Sequence, residues 1–396
     1  MRRGGSGRFA LRVRKVGRGR IYEERLMIAT LFRGTERTRW LAIALASILM
    51  MPAAHAFQLS PSGTFVERQG AKRDDSWYVR FTSRVGEWGV YNYTYSVHEE
   101  ITNLIFDCDK DPDICANPEA NYAGPAVIAG VRWNDDPPFR LNTTSIPECK
   151  KGQTVRVVTQ PTCWYKLFKH AEKRARTTYF DGHSNRWNIM YRSHFGDLQF
   201  LHSMASRDGE KASETRQRIL LWAEFSWAVA TGTQDSKGLL KDVKIELFSE
   251  LFPKSGQSVF DLFALGNTEL RRGIREVAFG SLLHLVEDSF AHGHVDRAPP
   301  VAGGNCPGTN HPRPGIIRSF RSYANQDHKI HGHYDSREMF QEGLRQHPNV
   351  IDVGKTLLGM FDREEPWSVV RPYLECVFEL ERPDSPGAPG AGLEAS

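Results

Sequence analysis

The residues with the clearest chemical meaning lie in one apolar segment, GSLLHLVEDSFAHGHV. It contains His284, Asp288, His292 and His294. In a helix, His284 and Asp288 are one turn apart and share a face. Imidazole and carboxylate groups directed at one point are ligands that suit zinc. Gly293 lets the chain leave helical geometry, so that His294 could turn towards a second metal ion. A lone His/Asp pair is more often a buried hydrogen bond, but four such groups in one segment favour metal binding.

Further histidines and carboxylates stand elsewhere in the chain. His331 and Asp335 repeat the spacing of four residues. His98 begins the amphipathic segment SVHEEITNLI, His194 stands in RSHFGDLQF, and Asp135 follows the aromatic turn GVRWN. Taken singly, such residues are usually solvated hydrogen-bonding groups. Only the whole set, in its order along the chain, indicates a metal site.

The elements that must position these residues are helices, because apolar residues after position 57 recur mostly at helical spacing. The predicted helices are 96–106, 164–175, 213–230, 239–251, 258–265, 267–291, 336–346, 351–361 and 367–380. Gly-, Pro- and Asn-rich loops are predicted at 112–125, 137–161 and 299–314, with a short hairpin arm at 154–159. We therefore predict an all-α fold, with a single multi-helix domain around a polynuclear metal site and long loops that carry disulfides.

The first 56 residues have the composition of an export signal. They hold twelve Lys or Arg and three acidic residues, an apolar run at 40–51 that is too short to span a membrane, and a small-x-small cleavage site at 54–56. The segment carries +9 of a total of +5, so the remaining chain is about −4. That charge gives no basic surface for nucleic acid. We expect a secreted or periplasmic protein without a transmembrane segment.

The domain organisation follows from these patterns. We predict a signal peptide at 1–56, an N-terminal arm or propeptide-like extension at 57–87, the helical domain at 88–381 and a disordered tail at 382–396. All six cysteines follow the cleavage site, which in an exported chain indicates up to three disulfides. Fifteen pairings are possible. Short separations favour Cys108–Cys115 and Cys149–Cys163, which leaves Cys306–Cys376.

In chain order, the candidate ligands resemble those of the superfamily of zinc-dependent bacterial phospholipases C and fungal single-strand nucleases. Its H-x-x-x-D-x-x-x-x-x-H pattern is matched by His284, Asp288 and His294. The phospholipase branch carries a Ser-His-Phe-x-Asp segment, which is matched at 193–197. Two further elements match at Gly130 with Asp135, five residues apart, and at His331 with Asp335. The resemblance covers roughly residues 88–340.

The resemblance implies an all-helical fold with two or three zinc ions. It implies one ion held by Asp135, His194, His284 and Asp288, a second by His294, His331 and Asp335, and a third by His98 and a bridging Asp288. Relatives complete the third site with an N-terminal Trp. Here cleavage after residue 56 leaves Phe57 first, and only removal of 57–87 would expose Trp88. His292, His333 and Asp136 stand beside the assigned ligands and remain alternatives to His294, His331 and Asp135.

The resemblance also implies a function. A phospholipase C would hydrolyse phosphatidylcholine-like lipids to diacylglycerol and a phosphorylated head group, with Asp135 orienting or deprotonating a zinc-activated water. Trp133, Tyr165 and Glu287 are candidates for a choline cage. Asp335, where phospholipases often have Glu, favours instead a secreted single-strand nuclease or nucleotidase, and a non-catalytic metal-binding protein is the remaining alternative. In the main interpretation we expect a monomer that acts at a phospholipid surface and binds no nucleic acid.

Overall fold

Helices are the predominant regular structure of the protein, a computed structural model that describes residues 63–69, 96–183, 187–253 and 256–394. The predicted all-α fold is confirmed only as a helix-rich fold, since the described residues also contain four short strands. All described residues belong to one compact unit. The described helices are α1 (Phe65–Gln69), α2 (Val97–Ile105), α3 (Pro112–Cys115), α4 (Pro125–Val131), α5 (Pro161–Ala175), α6 (Ile189–Phe195), α7 (Ala212–Ala230), α8 (Phe248–Leu251), α9 (Val259–Ala264), α10 (Thr268–Arg272), α11 (Ile274–Asp288), α12 (His328–Tyr334), α13 (Arg337–Gly343), α14 (Val350–Asp362) and α15 (Trp367–Val377).

Short strands and 3-10 turns connect some of these helices. Strand β1 (Phe139–Arg140) pairs antiparallel with β2 (Thr154–Val155), which lies at the predicted hairpin arm. Strand β3 (Val295–Arg297) pairs antiparallel with β4 (Ile317–Phe320) just after α11. The 3-10 turns are Gln199–His202 and Leu240–Asp242. No helix of the described ranges is long and apolar enough to cross a membrane.

Two glycines let α4 and α11 cross in direct backbone contact. A Cβ atom on Gly130 would overlap the carbonyl oxygen of Val277, and one on Gly280 would overlap that of Val127. Glycine is needed here because no side chain fits between the two backbones. The crossing places the end of α4 against Val277 and Gly280, one to two turns before the candidate ligands His284 and Asp288.

We expect Gly280→Ala to lower the free energy of unfolding by about 3 kcal/mol, since neither backbone can move without disturbing the packed core. Urea denaturation of the purified protein would measure the change. Gly343→Ala is the matched control: it also lies in a helix, but nothing lies within 4 Å of its added methyl group. Equal denaturation midpoints for the two variants would contradict the proposed role of this crossing.

Some predicted helix boundaries differ from the structure. The predicted helix 267–291 is interrupted at Gly273 and ends at Asp288. The predicted helix 239–251 is reduced to a 3-10 turn and the four-residue α8. Helices α4, α6 and α12 were not predicted, because seven residues each give too few turns for a periodic pattern. Their starts follow local signals instead, such as a proline in the first turn of α4.

The three disulfides pair as predicted. They are Cys108–Cys115, Cys149–Cys163 and Cys306–Cys376, and no cysteine is free. The second connects the loop after β1 to the first turn of α5, and the third connects the long loop before β4 to α15. Disulfides of this kind are typical of exported proteins.

The end of the chain requires a correction. The sequence predicts a disordered tail at 382–396, but residues 382–394 run along the helical domain. Their main chain forms isolated bridges between Lys211 and Pro386, Arg321 and Ala388, and Gln326 and Glu394. Leu393 is buried. Composition did not reveal this contact, because main-chain hydrogen bonds form with small and polar residues as readily as with apolar ones.

The predicted arm at 57–87 is described only at 63–69; the rest of it, Trp88 and the predicted signal peptide lie outside the described residues. Glu67 of α1 is 2% exposed and faces two buried guanidinium groups. Arg132 Nε lies 3.1 Å from its Oε2, and Arg156 Nη2 lies 2.8 Å from its Oε1. This part of the arm therefore supplies one of the carboxylates that pair with Arg132 and Arg156, beside Glu99 and Asp136.

Burial alone would raise the pKa of Glu67, but Arg132 and Arg156 hold it below its usual value. Its ion pairs stabilise the fold above the usual Glu range, and this stability is lost as the pH falls through the lowered pKa. We expect Glu67→Gln to cost about 3 kcal/mol at pH 7. The difference from the wild type should shrink below about pH 4.

Denaturation of both proteins across this pH range would test the prediction. Glu119→Gln is the control, since Glu119 forms only an exposed ion pair with Arg68, for which about 0.5 kcal/mol is expected. A destabilisation by Glu67→Gln that grows on acidification would contradict the assigned role.

Candidate metal centre

Three adjoining groups of His and Asp side chains are buried where α2, α11 and the 3-10 turn after α6 meet. In each group, one potential ligand atom per residue lies within 4.8 Å of the others. The first group is His98, His284 and Asp288, the second is Asp135, His202 and His284, and the third is His294, His331 and Asp335. His284 belongs to both the first and the second group, so these two groups adjoin each other.

Asp288 is the carboxylate with the most imidazole neighbours in the cluster. Its Oδ2 lies 2.9 Å from His284 Nε2, 3.0 Å from His202 Nδ1 and 3.5 Å from His294 Nδ1. Its Oδ1 lies 3.4 Å from His98 Nε2. Since Asp288 ends α11 one turn after His284, the helix itself fixes this arrangement. A single carboxylate is therefore in contact with members of all three groups.

The third group depends on the short helix α12. His331 and Asp335 are one helical turn apart, and His331 Nε2 lies 2.8 Å from Asp335 Oδ2. His294 reaches the same oxygen from the loop after α11, with its Nε2 at 3.3 Å. Tyr323 packs edge-on against the His331 ring, with the ring centres 4.7 Å apart. The ligands of this group thus come from two separate elements that must be held together.

Hydrogen bonds outside the cluster orient two of the imidazoles. Glu287 Oε2 lies 2.6 Å from His98 Nδ1, and Thr102 donates to the other Glu287 oxygen at 2.8 Å. His294 Nδ1 lies 2.7 Å from the carbonyl oxygen of His202. In both rings this leaves Nε2 on the side of the carboxylates. Metal-binding histidines in proteins are commonly held in this way.

Buried polar atoms in the cluster lack ordinary partners. Asp135 Oδ2, His202 Nε2, His284 Nδ1, Asp288 Oδ1 and Asp335 Oδ1 are buried without a hydrogen bond. Buried polar atoms are nearly always satisfied in folded proteins, so five exceptions in one cluster indicate that another species completes it. The donors are imidazole nitrogens and carboxylate oxygens, which fit a divalent metal ion.

Burial and neighbouring charge set the protonation of the cluster. Burial alone would raise the pKa of Asp288, but His294 and His284 hold it well below its usual value. Burial, together with the nearby His98, lowers the pKa of His284 to about 3. Burial raises the pKa of Asp135 to about 7. An ionised Asp288 beside a neutral His284 is the combination that ligation requires.

Most of the predicted site residues lie together in the structure. Those found in the three groups are His98, Asp135, His284, Asp288, His294, His331 and Asp335. His194 is the exception. Its Nδ1 lies 3.0 Å from the carbonyl oxygen of Met190, its Nε2 is buried without a hydrogen bond, and its ring packs edge-on against Phe168. The centre of the His194 ring lies 5.2 Å from that of the His202 ring, and His194 is not a member of the three groups.

His202, which the sequence analysis did not name, belongs to the second group together with Asp135 and His284. It ends the 3-10 turn Gln199–His202, and the next residue, Ser203, has a left-handed backbone and donates to Leu285 O at 2.7 Å. That bond fastens the turn to α11 and directs His202 into the cluster. The available signal was a second histidine eight residues after His194 in an apolar segment. It was missed because no carboxylate follows His202 at helical spacing.

The alternative ligands lie outside the groups. His292 Nε2 accepts from Arg321 Nη2 at 3.2 Å, and His333 is exposed. Asp136 accepts from Val157 N at 2.9 Å and from Arg156 Nε at 3.2 Å. The neighbouring residues His294, His331 and Asp135 are therefore the better candidates.

Two of the three candidates for a choline cage have other roles. Trp133 is completely buried in the core and donates to the carbonyl oxygen of Leu262 at 2.9 Å. Glu287 is buried and binds His98. Neither side chain is available to surround a head group.

Comparison with known proteins assigns neither a family nor a function to this chain. No family model matches the chain, no curated protein is significantly similar to it, and no solved structure matches it. The cluster itself and the motif resemblance of its ligands are therefore the grounds for a functional proposal.

Proposed function

We propose that this chain is a secreted zinc-dependent phosphodiesterase, and specifically a phospholipase C that hydrolyses phosphatidylcholine-like lipids. The observation that carries the proposal is the arrangement of the three groups around Asp288, which contacts an imidazole of each. Adjoining sites of this kind are the arrangement that two-metal hydrolysis of phosphodiesters needs. Imidazole and carboxylate ligands, with every cysteine in a disulfide, favour zinc.

Zinc ions bound here would supply a hydroxide at neutral pH and offset negative charge on the phosphoryl oxygens. The chain's own residues hold and orient these reactants. Asp135 Oδ1 lies 3.6 Å from His202 Nδ1, while Oδ2 has no hydrogen bond. One oxygen is thus placed for ligation, and the other can accept a hydrogen bond from the attacking water. Asp135 is the residue that we assign to orienting or deprotonating that water.

The substrate assignment depends on the motif resemblance and on charge. The match to the Ser-His-Phe-x-Asp segment of phospholipases at 193–197 favours a lipid, although its His194 lies outside the ligand groups. The charge of about −4 after residue 56 does not favour a polyanion such as nucleic acid. A single-strand nuclease remains the second candidate, because Asp335 stands where phospholipases often have Glu.

Initial rates on phosphatidylcholine vesicles and on single-stranded DNA, before and after chelation, would test the proposal. We expect release of phosphocholine that the chelator abolishes and added zinc restores, with little cleavage of DNA. The opposite preference would make the protein a nuclease with the same metal centre. Bound zinc without either activity would leave a metal-binding protein. An Asp296→Asn variant should show the same activities as the wild type, since Asp296 is only half-buried and lies near Arg318.

A further inference from the structure

Residues 321–327, between β4 and α12, lie between the His294 loop and the last described part of the chain. On one side, Arg321 N donates to His294 O at 2.8 Å. On the other side, the segment is bonded to residues 388–393. These bonds run from Ser322 N to Ala388 O at 3.0 Å and from Asp327 N to Leu393 O at 2.6 Å. The segment therefore joins the third group to the end of the domain.

Gln326 is the side chain that crosses this segment. It is 1% exposed, and its Nε2 donates to the carbonyl oxygen of Gly293 at 3.0 Å and to that of Pro389 at 2.8 Å. Both amide hydrogens are thus committed to main-chain oxygens on opposite sides. A hydrocarbon side chain of the same size would leave the buried carbonyl group of Gly293 and the partly buried one of Pro389 without this donor.

Gly293 lies directly against the third group. A Cβ atom on Gly293 would lie 2.7 Å from Asp335 Oδ1 and 3.1 Å from His331 Nδ1. The next residue is His294, so the position of the Gly293 carbonyl sets how His294 approaches the other two ligands. Gln326 fixes that carbonyl.

The same segment also fixes the start of α12. Asp327 caps the helix, with Oδ1 accepting from Lys329 N at 2.9 Å and from Ile330 N at 3.1 Å. His331 lies in that helix, and Asp335 is the residue that directly follows its end. Residues 321–327 therefore position all three ligands of the third group. Residues 388–393 in turn hold this segment through main-chain hydrogen bonds.

We propose that Gln326 is a positioning residue of the third metal-binding group, and that residues 385–393 are the strap that keeps it in place. The inference rests on the proposed metal site, and it deepens that proposal by assigning a function to the tail. We expect loss of either Gln326 or the strap to weaken binding of the metal ion at the third group, while the ions at the first and second groups stay bound.

The test is metal binding by Gln326→Leu and by a chain shortened after Arg382. Zinc per chain and zinc Kd would be measured by competition with a coloured chelator, with visible absorption of the cobalt-substituted proteins as a second readout. We expect one ion to bind about tenfold or more weaker in both variants, the range seen when outer hydrogen bonds of metal ligands are removed. Circular dichroism would establish that the helices remain.

Asn325→Leu is the matched control, because Asn325 is the exposed neighbouring amide and donates only to Asp208 at 2.8 Å. It should bind zinc as the wild type does. If the wild type binds zinc and both test variants bind it equally tightly, the assignment of Gln326 and the strap is overturned while the metal site stands. If the wild type binds no zinc, the proposed function itself fails. Should Gln326→Leu not fold, the shortened chain alone decides between these outcomes.

Discussion

Replacement of Asp288 by Asn is expected to remove at least one bound metal ion and to lower kcat/KM by roughly 100-fold or more. The amide keeps the size of the side chain but loses the negative charge that four imidazoles surround. Those imidazoles belong to His98, His202, His284 and His294, at 2.9–3.5 Å from the carboxylate oxygens. No other carboxylate of the described cluster contacts members of all three groups, so no other single change should cost as much.

Metal analysis after gel filtration, together with steady-state kinetics, would measure both effects. Asp296→Asn is the matched control, eight residues along the chain but outside the groups. Wild-type metal content and activity in Asp288→Asn would exclude Asp288 as a shared ligand.

The second prediction with a large expected effect concerns which of the two residues His202 and His194 binds zinc. Replacement of His202 by Ala should weaken zinc binding at the second group by about 100-fold and reduce activity in parallel, since His202 Nδ1 faces both Asp135 and Asp288. Replacement of His194 by Ala should change zinc affinity by less than about tenfold. Its Nδ1 is bound to Met190 O, and its ring lies outside the ligand group.

Isothermal titration of the metal-free variants would measure both affinities under one condition. The two variants control each other, since each removes one buried imidazole from the same region. Loss of zinc binding in His194→Ala, with normal binding in His202→Ala, would reverse the assignment and return the ligand role to the position that the motif indicated.

Helical spacing predicted two residue pairs of the centre, while His98, Asp135 and His294 were predicted from the order of the motifs and the resemblance. His284 with Asp288, and His331 with Asp335, were found because four-residue spacing on a helix places two side chains on one face. The position of His202 could not be found in the same way. It depends on a 3-10 turn that Ser203 fastens to α11, which is a tertiary contact without a sequence period.

In the fold, too, the sequence predicted the elements with a periodic pattern and did not predict those that depend on tertiary contacts. Long helices such as α7 and α14 were predicted within one residue at each end, because several turns give a long segment rich in apolar residues. The ordered residues 382–394, which include the strap, and the buried Glu67 of the arm were not predicted. Both are held by partners distant in sequence, Gln326 and Arg132 among them, and neither carries an apolar pattern of its own.

The most direct test of the proposed function is a zinc titration of the metal-free protein, followed through hydrolysis of a small phosphodiester such as bis(4-nitrophenyl) phosphate. Zinc bound per chain would be measured in the same samples. We predict no hydrolysis without metal and activity that rises as the second zinc ion binds. Hydrolysis that persists in the metal-free protein, or a protein that binds no zinc at all, would contradict the assignment of the three groups as a metal-dependent catalytic centre.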